Sequence, residues 1–81
     1  MAYLKVNEFG LERVHTLDEA ETIIGRSRKN QIRLLTEQAS RNHCKILRGT
    51  SGGFRVVDNS SSNGTFVNGS RAIEKELQDG D

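Results

Sequence analysis

Between Val57 and Gly69 the chain packs two Asn-Gly pairs and a run of serines between short apolar pairs, and few backbones can accommodate that. Val56-Val57 and Phe66-Val67 are β-branched or aromatic and read as two short strands. The residues between them, Asn59-Ser60-Ser61-Ser62-Asn63-Gly64, favour turns. Gly64 does so by reaching positive φ, and Asn and Ser by bonding back to nearby backbone. Asn68-Gly69 follows almost at once and is a strong hairpin signal. The pattern predicts a loop held rigidly between two strands and lined with hydroxyls and amides. Such a loop suits binding and, alone, is poor at catalysis.

The rest of the chain reads the same way. Leu4-Lys5-Val6 and Arg13 to Leu17 alternate as half-buried strands around a turn at Glu8 to Gly10. Asp18 to Glu21 is too short and acidic for a core helix and reads as a loop. Thr22-Ile23-Ile24 is a β-branched strand ended by Gly25, and Gln31 to Leu35 is another. His43 to Arg48 places Cys44 and Ile46 on one face, and Phe54 to Val57 follows a glycine-rich turn. Arg71-Ala72-Ile73 answers Phe66-Val67 across the Asn68-Gly69 turn. Many short strands, with no 3.6-residue periodicity, predict an all-β sandwich or barrel.

Composition narrows the function classes. Leu, Ile, Val and Phe make up about a quarter of the 81 residues, enough for one thin core. No apolar run is long enough to cross a membrane as a helix. The start lacks the apolar stretch of a secretory signal. Cys44 is the single cysteine, so the expectation is an intracellular module without an internal disulfide. The net charge of +1 conceals a segregation. Residues 26–55 carry eight basic side chains against Glu37 alone, whereas residues 1–25 and 56–81 each carry two basic against five acidic. A basic middle third suggests an anionic partner, although alternate strand positions could simply hold Lys and Arg in solvent.

Several motifs fail on inspection. Ser40, His43 and Asp58 lack the strand–turn–helix setting of a nucleophile elbow. One cysteine and two histidines are too few for a zinc site. Asn59-Ser-Ser, Asn63-Gly-Thr and Asn68-Gly-Ser match the glycosylation pattern, but in a chain with no secretory signal they are read as turn chemistry.

Three segments taken in order are more telling: Ile24-Gly25-Arg26-Ser27, then Ser40-Arg41-Asn42-His43-Cys44, then Asp58 through Gly69. Together, and with Leu77-x-x-Gly80-Asp81 near the end, the chain resembles the forkhead-associated (FHA) domain from Leu4 to Asp81. The resemblance implies a sandwich of two twisted antiparallel sheets that binds phosphothreonine peptides through loops at one end. It implies that Arg26 holds the phosphate or nearby peptide backbone, that Ser40 donates its hydroxyl to a phosphate oxygen, and that Arg41 adds a charged contact. Asn63 would fix the peptide main chain, with Ser62 lining the pocket. Gly25, His43, Gly64, Thr65, Asn68 and Gly69 fall at positions that hold the architecture. Two departures stand out: Asn59 where an apolar residue is commoner, and Ser62 where threonine is frequent.

The chemistry of these residues agrees with the resemblance. Phosphothreonine carries a charge of roughly −1.5 to −2 and three strong acceptors. Arginine matches such a group with planar, charge-assisted donors, and an asparagine can donate and accept at once. The reading is a non-catalytic phosphothreonine-dependent interaction module. It calls for no cofactor, metal, membrane or small-molecule substrate. Two rivals stand beside it. One is a basic β-domain that binds nucleic acid, for which aromatics at 5% leave little stacking surface. The other is a similar fold that docks an unmodified protein. The resemblance also implies two further strands after Gly80-Asp81. The chain is therefore expected to be a C-terminally truncated piece of a longer protein, with a dimer through the incomplete sheet as the other way to close it.

Overall fold

A computed structural model describes residues 2–81. Nine strands follow in order: β1 (Tyr3–Glu8), β2 (Leu11–Thr16), β3 (Glu21–Gly25), β4 (Ile32–Arg33), β5 (Cys44–Arg48), β6 (Phe54–Asp58), β7 (Phe66–Val67), β8 (Ser70–Arg71) and β9 (Glu74–Leu77). The fold is all-β. A five-stranded sheet in the order β4-β3-β5-β6-β9 faces two hairpins, β1-β2 and β7-β8. Val6 and Leu17 from the first hairpin meet Ile24, Ile32, Cys44, Ile46 and Val56 of the large sheet, and Val67 and Ala72 join from the second hairpin.

Alternation explains the layers. In β1 Leu4, Val6 and Glu8 turn inward and Tyr3, Lys5 and Asn7 outward, as a period of two demands. Its turn to β2 has Phe9 at φ 51° and Gly10 at φ 78°, the geometry whose twist suits a two-residue hairpin. Asn68 at φ 52° and Gly69 at φ 83° repeat it between β7 and β8.

Three features depart from the sequence reading. The strand expected over Gln31 to Leu35 shrinks to Ile32–Arg33, and it runs parallel to β3. Gln31 lies outside it because its side-chain amide acts as a substitute strand, accepting from Ile23 N–H (3.0 Å) and donating to the Glu21 carbonyl (3.0 Å). The last hairpin is shorter than expected, pairing Phe66 with Arg71 and Val67 with Ser70 only. Finally, Glu74–Leu77 forms a strand that the sequence reading left out.

Glu8 fixes where the chain leaves β4. Its carboxylate pairs with Arg13 (2.7 Å) and accepts the N–H groups of Leu35 (2.9 Å) and Thr36 (3.1 Å). The first hairpin thus anchors the start of the loop that carries Ser40 and Arg41.

Candidate functional site

Register brings three loops to one end of the large sheet. Ile24 lies opposite Cys44, and Cys44 opposite Asp58, so β3, β5 and β6 reach this edge side by side. From it emerge the loop after Gly25, the loop that ends at His43 and the loop that begins at Asn59. These carry all five residues that the sequence assigns to ligand contact.

The loops are tied together by backbone and side-chain hydrogen bonds. Arg26 N–H donates to the Ser40 carbonyl (3.0 Å) and Ser27 N–H to the Arg41 carbonyl (3.1 Å), while Asn59 N–H donates to the His43 carbonyl (3.0 Å). Gly25 permits the first two. A Cβ there would lie 2.2 Å from the Arg41 carbonyl oxygen and 2.7 Å from the His43 nitrogen. Asn59 Nδ2 also donates to the Asn42 carbonyl (3.0 Å), a side-chain tie between the second and third loops.

His43 bridges the second and third loops. Its Nδ1 accepts the Ser40 N–H (3.0 Å), so the ring proton sits on Nε2 and is donated to the Gly64 carbonyl (2.8 Å). Both ring nitrogens are thereby engaged with backbone, and neither reaches the Ser40 hydroxyl. Ser40, His43 and Asp58 form no relay.

Each ligand candidate keeps donor capacity toward solvent. Ser40 Oγ accepts the Ser62 N–H (3.0 Å), which orients the oxygen and leaves its own proton to donate outward. Arg26 spends Nε on the Ala39 carbonyl (3.1 Å), which fixes the guanidinium while its two terminal nitrogens stay unbonded among the described residues. Arg41 is exposed, and its guanidinium has no ion pair among them. Asn63 Nδ2 donates to the Gln38 carbonyl (2.6 Å), which sets the amide plane while Oδ1 remains unbonded among the described residues. Arg26, Ser62 and Asn63 are exposed, and Ser40 is half-buried.

Beneath this rim lies a pin that sequence reasoning missed. Asp58 accepts the hydroxyl of Ser61, the hydroxyl of Thr65 (2.7 Å) and the Ser61 N–H (3.2 Å). It clamps the Asn59 to Thr65 loop at both ends and allows Ser60 its φ of 52°. Aspartate commonly bonds nearby backbone in turns, so Asp58 just ahead of the serine run was a signal available in the sequence. The Ser61 hydroxyl above all holds the Asp58 carboxyl below the ordinary aspartate range. A carboxyl so lowered stabilises the fold above its unfolded pKa of ~3.9, and that contribution disappears as pH falls through the folded value. Denaturant midpoints should therefore drop below about pH 4. Asp58→Asn should flatten this part of the profile, and superimposable profiles would remove the clamp from the account. Behind the pin, burial pushes the Cys44 thiol up to about 11, which marks it as an inert core residue.

The FHA domain family matches residues 22–81, a span that takes in all three loops. This chain belongs to that family. Over 58 residues the domain is 47% identical to the ABC transporter ATP-binding/permease protein Rv1747 of Mycobacterium tuberculosis, matching 72% of this chain but spanning 7% of that relative's length. Among solved structures, Slr1951 from Synechocystis superposes with a TM-score of 0.87 at 29% identity, covering 94% of this chain and 80% of that one. Mycobacterium tuberculosis EmbR, in complex with a low affinity phosphopeptide, superposes with a TM-score of 0.82 at 32% identity, covering 98% and 21%. The chain thus spans only a small part of the length of Rv1747 and of EmbR.

Proposed function

We propose that this FHA domain is a non-catalytic module that binds phosphothreonine-containing segments of partner proteins. The observation that carries the reading is the placing of Ser40, Arg26 and Arg41 on adjoining loops at one end of the sandwich, with the Ser40 hydroxyl and the Arg26 guanidinium held from behind and the Arg41 side chain exposed beside them. Two cations and an aimed hydroxyl match a phosphate dianion in charge and in donors. Asn63 and Ser62, held to the Gln38 carbonyl and to Ser40, flank that position and would take the peptide main chain. The phosphopeptide complex of EmbR supports the reading by likeness. The engagement of both His43 ring nitrogens with backbone supports a binding role over a catalytic one.

A mixture of two oriented peptide libraries, one with a fixed phosphothreonine and one with unmodified threonine at the same position, tests the proposal. Enrichment of phosphothreonine members over unphosphorylated ones is the expected result, and preference for unmodified peptides or for plain nucleic acid would overturn it. Affinity should also follow the ionisation of the ligand. The second phosphate pKa is near ~6, so binding should weaken as pH falls through that value and as salt is added. Phosphoserine should bind more weakly, because a pocket shaped around the threonine methyl loses contacts without it. A flat pH profile with equal phosphoserine affinity would point to docking of an unmodified surface.

A second proposal concerns the open side of the fold. Among the described residues β1 has a ladder partner only in β2. Beside it lies a cavity of about 340 Å³ lined in part by Leu4, Leu17, Ile46, Phe54 and Leu77. Unpaired edges over open apolar surface invite another strand. In a parent protein, about 15–20 residues beyond Asp81 would suffice for two strands of ordinary length. A chain so extended should resist denaturant better than the 81-residue form, and the short form should associate as its concentration rises. Equal stability with a monomeric short form would show that the edge needs no cover.

A further inference from the structure

Unpaired basic residues gather at the loop end of this domain. Elsewhere Arg13 pairs with Glu8 (2.7 Å), Lys45 with Glu21 (3.6 Å), and Arg55 with Glu74 and Glu76 across β6 and β9, while Lys5, Arg48, Arg71 and Lys75 have no ion pair among the described residues but lie scattered along the chain. The loop end concentrates such residues. Arg26, Arg28, Lys29, Arg33 and Arg41 have no ion pair among the described residues, and the one acidic residue between positions 26 and 55 is the exposed Glu37.

A single phosphothreonine accounts for two of these five. Its charge of roughly −1.5 to −2 is met by Arg26 and Arg41. Arg28, Lys29 and Arg33 then remain as surplus positive charge crowded beside a site that is already cationic, which is an unfavourable arrangement unless an anion is present.

The segment holding Arg28 and Lys29 is also fixed in place. Asn30 N–H donates to the Ser27 carbonyl (3.2 Å) and Lys29 N–H to Ser27 Oγ (3.3 Å), which closes a tight turn. Ser27 N–H (3.1 Å) and Asn30 Nδ2 (2.6 Å) both donate to the Arg41 carbonyl, so the turn is braced against the backbone of a proposed phosphate ligand. Arg33 Nε donates to the Arg26 carbonyl (3.3 Å) and lies against the other. Solvated charges on a loose loop need no such bracing.

We infer that the Arg28–Lys29 turn is a second anion subsite, which selects phosphothreonine peptides carrying a further anionic group, phosphate or carboxylate, where the peptide passes this turn. The inference rests on the phosphothreonine reading above. Arg28 and Lys29 act on partner choice, and Arg26, Ser40 and Arg41 on the phosphothreonine itself.

Anisotropy titrations of the whole chain test it. The base peptide holds one phosphothreonine among uncharged residues. In two further series a phosphoserine, or a glutamate, is walked from four residues before the phosphothreonine to four after. Each series is measured with the unsubstituted chain and with Arg28→Ala/Lys29→Ala. A charge-matched control, Lys5→Ala/Arg48→Ala, alters the first hairpin and the far end of β5. The expected result is a gain of roughly three- to tenfold at two or three adjacent positions on one side, since exposed ion pairs are individually weak. The gain should be larger for phosphate than for carboxylate, vanish in the turn variant and persist in the control. Binding of the base peptide with no gain at any position, with an equal gain at all positions, or with a gain that survives in the turn variant would overturn the subsite alone. Failure of every phosphothreonine peptide to bind the unsubstituted chain would overturn the phosphothreonine reading and the subsite with it.

Discussion

Replacing Gly25 with alanine should destabilise the domain by at least about 2 kcal/mol, at the upper side of what overpacking costs. The added Cβ would meet backbone on both sides, 2.2 Å from the Arg41 oxygen and 2.7 Å from the His43 nitrogen, and backbone cannot swing away as a side chain can. Relief requires the loop after β3 to part from the loop before β5. That separation breaks the bonds from Arg26 and Ser27 to the Ser40 and Arg41 carbonyls, so phosphopeptide affinity should fall with stability. Gly53→Ala is the control, since its Cβ would meet nothing within 4 Å. It should change stability by no more than ~0.5 kcal/mol. Urea melts of both variants give the answer, and equal midpoints would mean that the close approach at Gly25 is unimportant.

Arg26→Ala should lower affinity for a phosphothreonine peptide by one to two decades while leaving the denaturant midpoint nearly unchanged. Hydrogen bonds to a charged group contribute roughly 1.5–3 kcal/mol, and each ~1.4 kcal/mol is a decade. Arg26 stands at the upper end because its loss also removes a charge. Ser40→Ala should fall nearer one decade. It deletes a neutral donor and also the acceptor that holds the Ser62 N–H, so some loss will come through a looser third loop. The two variants are therefore expected to combine non-additively, as neighbours sharing one ligand do. Unchanged affinity with Arg26→Ala would move the phosphate away from the β3 end.

Much of this was legible in the sequence, and the parts that were not share a cause. The hairpin turns were marked by Gly10 and Asn68-Gly69, residues that take positive φ readily, whereas Phe9 is carried to φ 51° by the hairpin and not by its own preference. Strands β3 and β6 announced themselves by β-branched and apolar residues, and β5 by partial alternation that put Cys44 and Ile46 on one face. Strand β9 did not, because Glu74-Lys75-Glu76 is exposed and only Leu77 is partly buried. It is held by pairing to β6, including the ion pairs from Arg55, and such partners lie about twenty residues away in sequence. The site divides similarly. The residue types suited to phosphate were readable, but their convergence came from family resemblance. The bonds that orient them run from Arg26 to Ala39, Asn63 to Gln38 and Ser62 to Ser40, and two of the three end on backbone carbonyls, which no side-chain pattern encodes.

We propose above all that a phosphate on threonine is what the loop end of this FHA domain recognises. Calorimetric titration of the chain with a phosphothreonine peptide from the library, before and after phosphatase treatment, tests it most directly. Saturable one-to-one binding of the phosphorylated peptide, and no measurable binding once the phosphate is removed, is the expected result. Equal affinity for the two forms would contradict it.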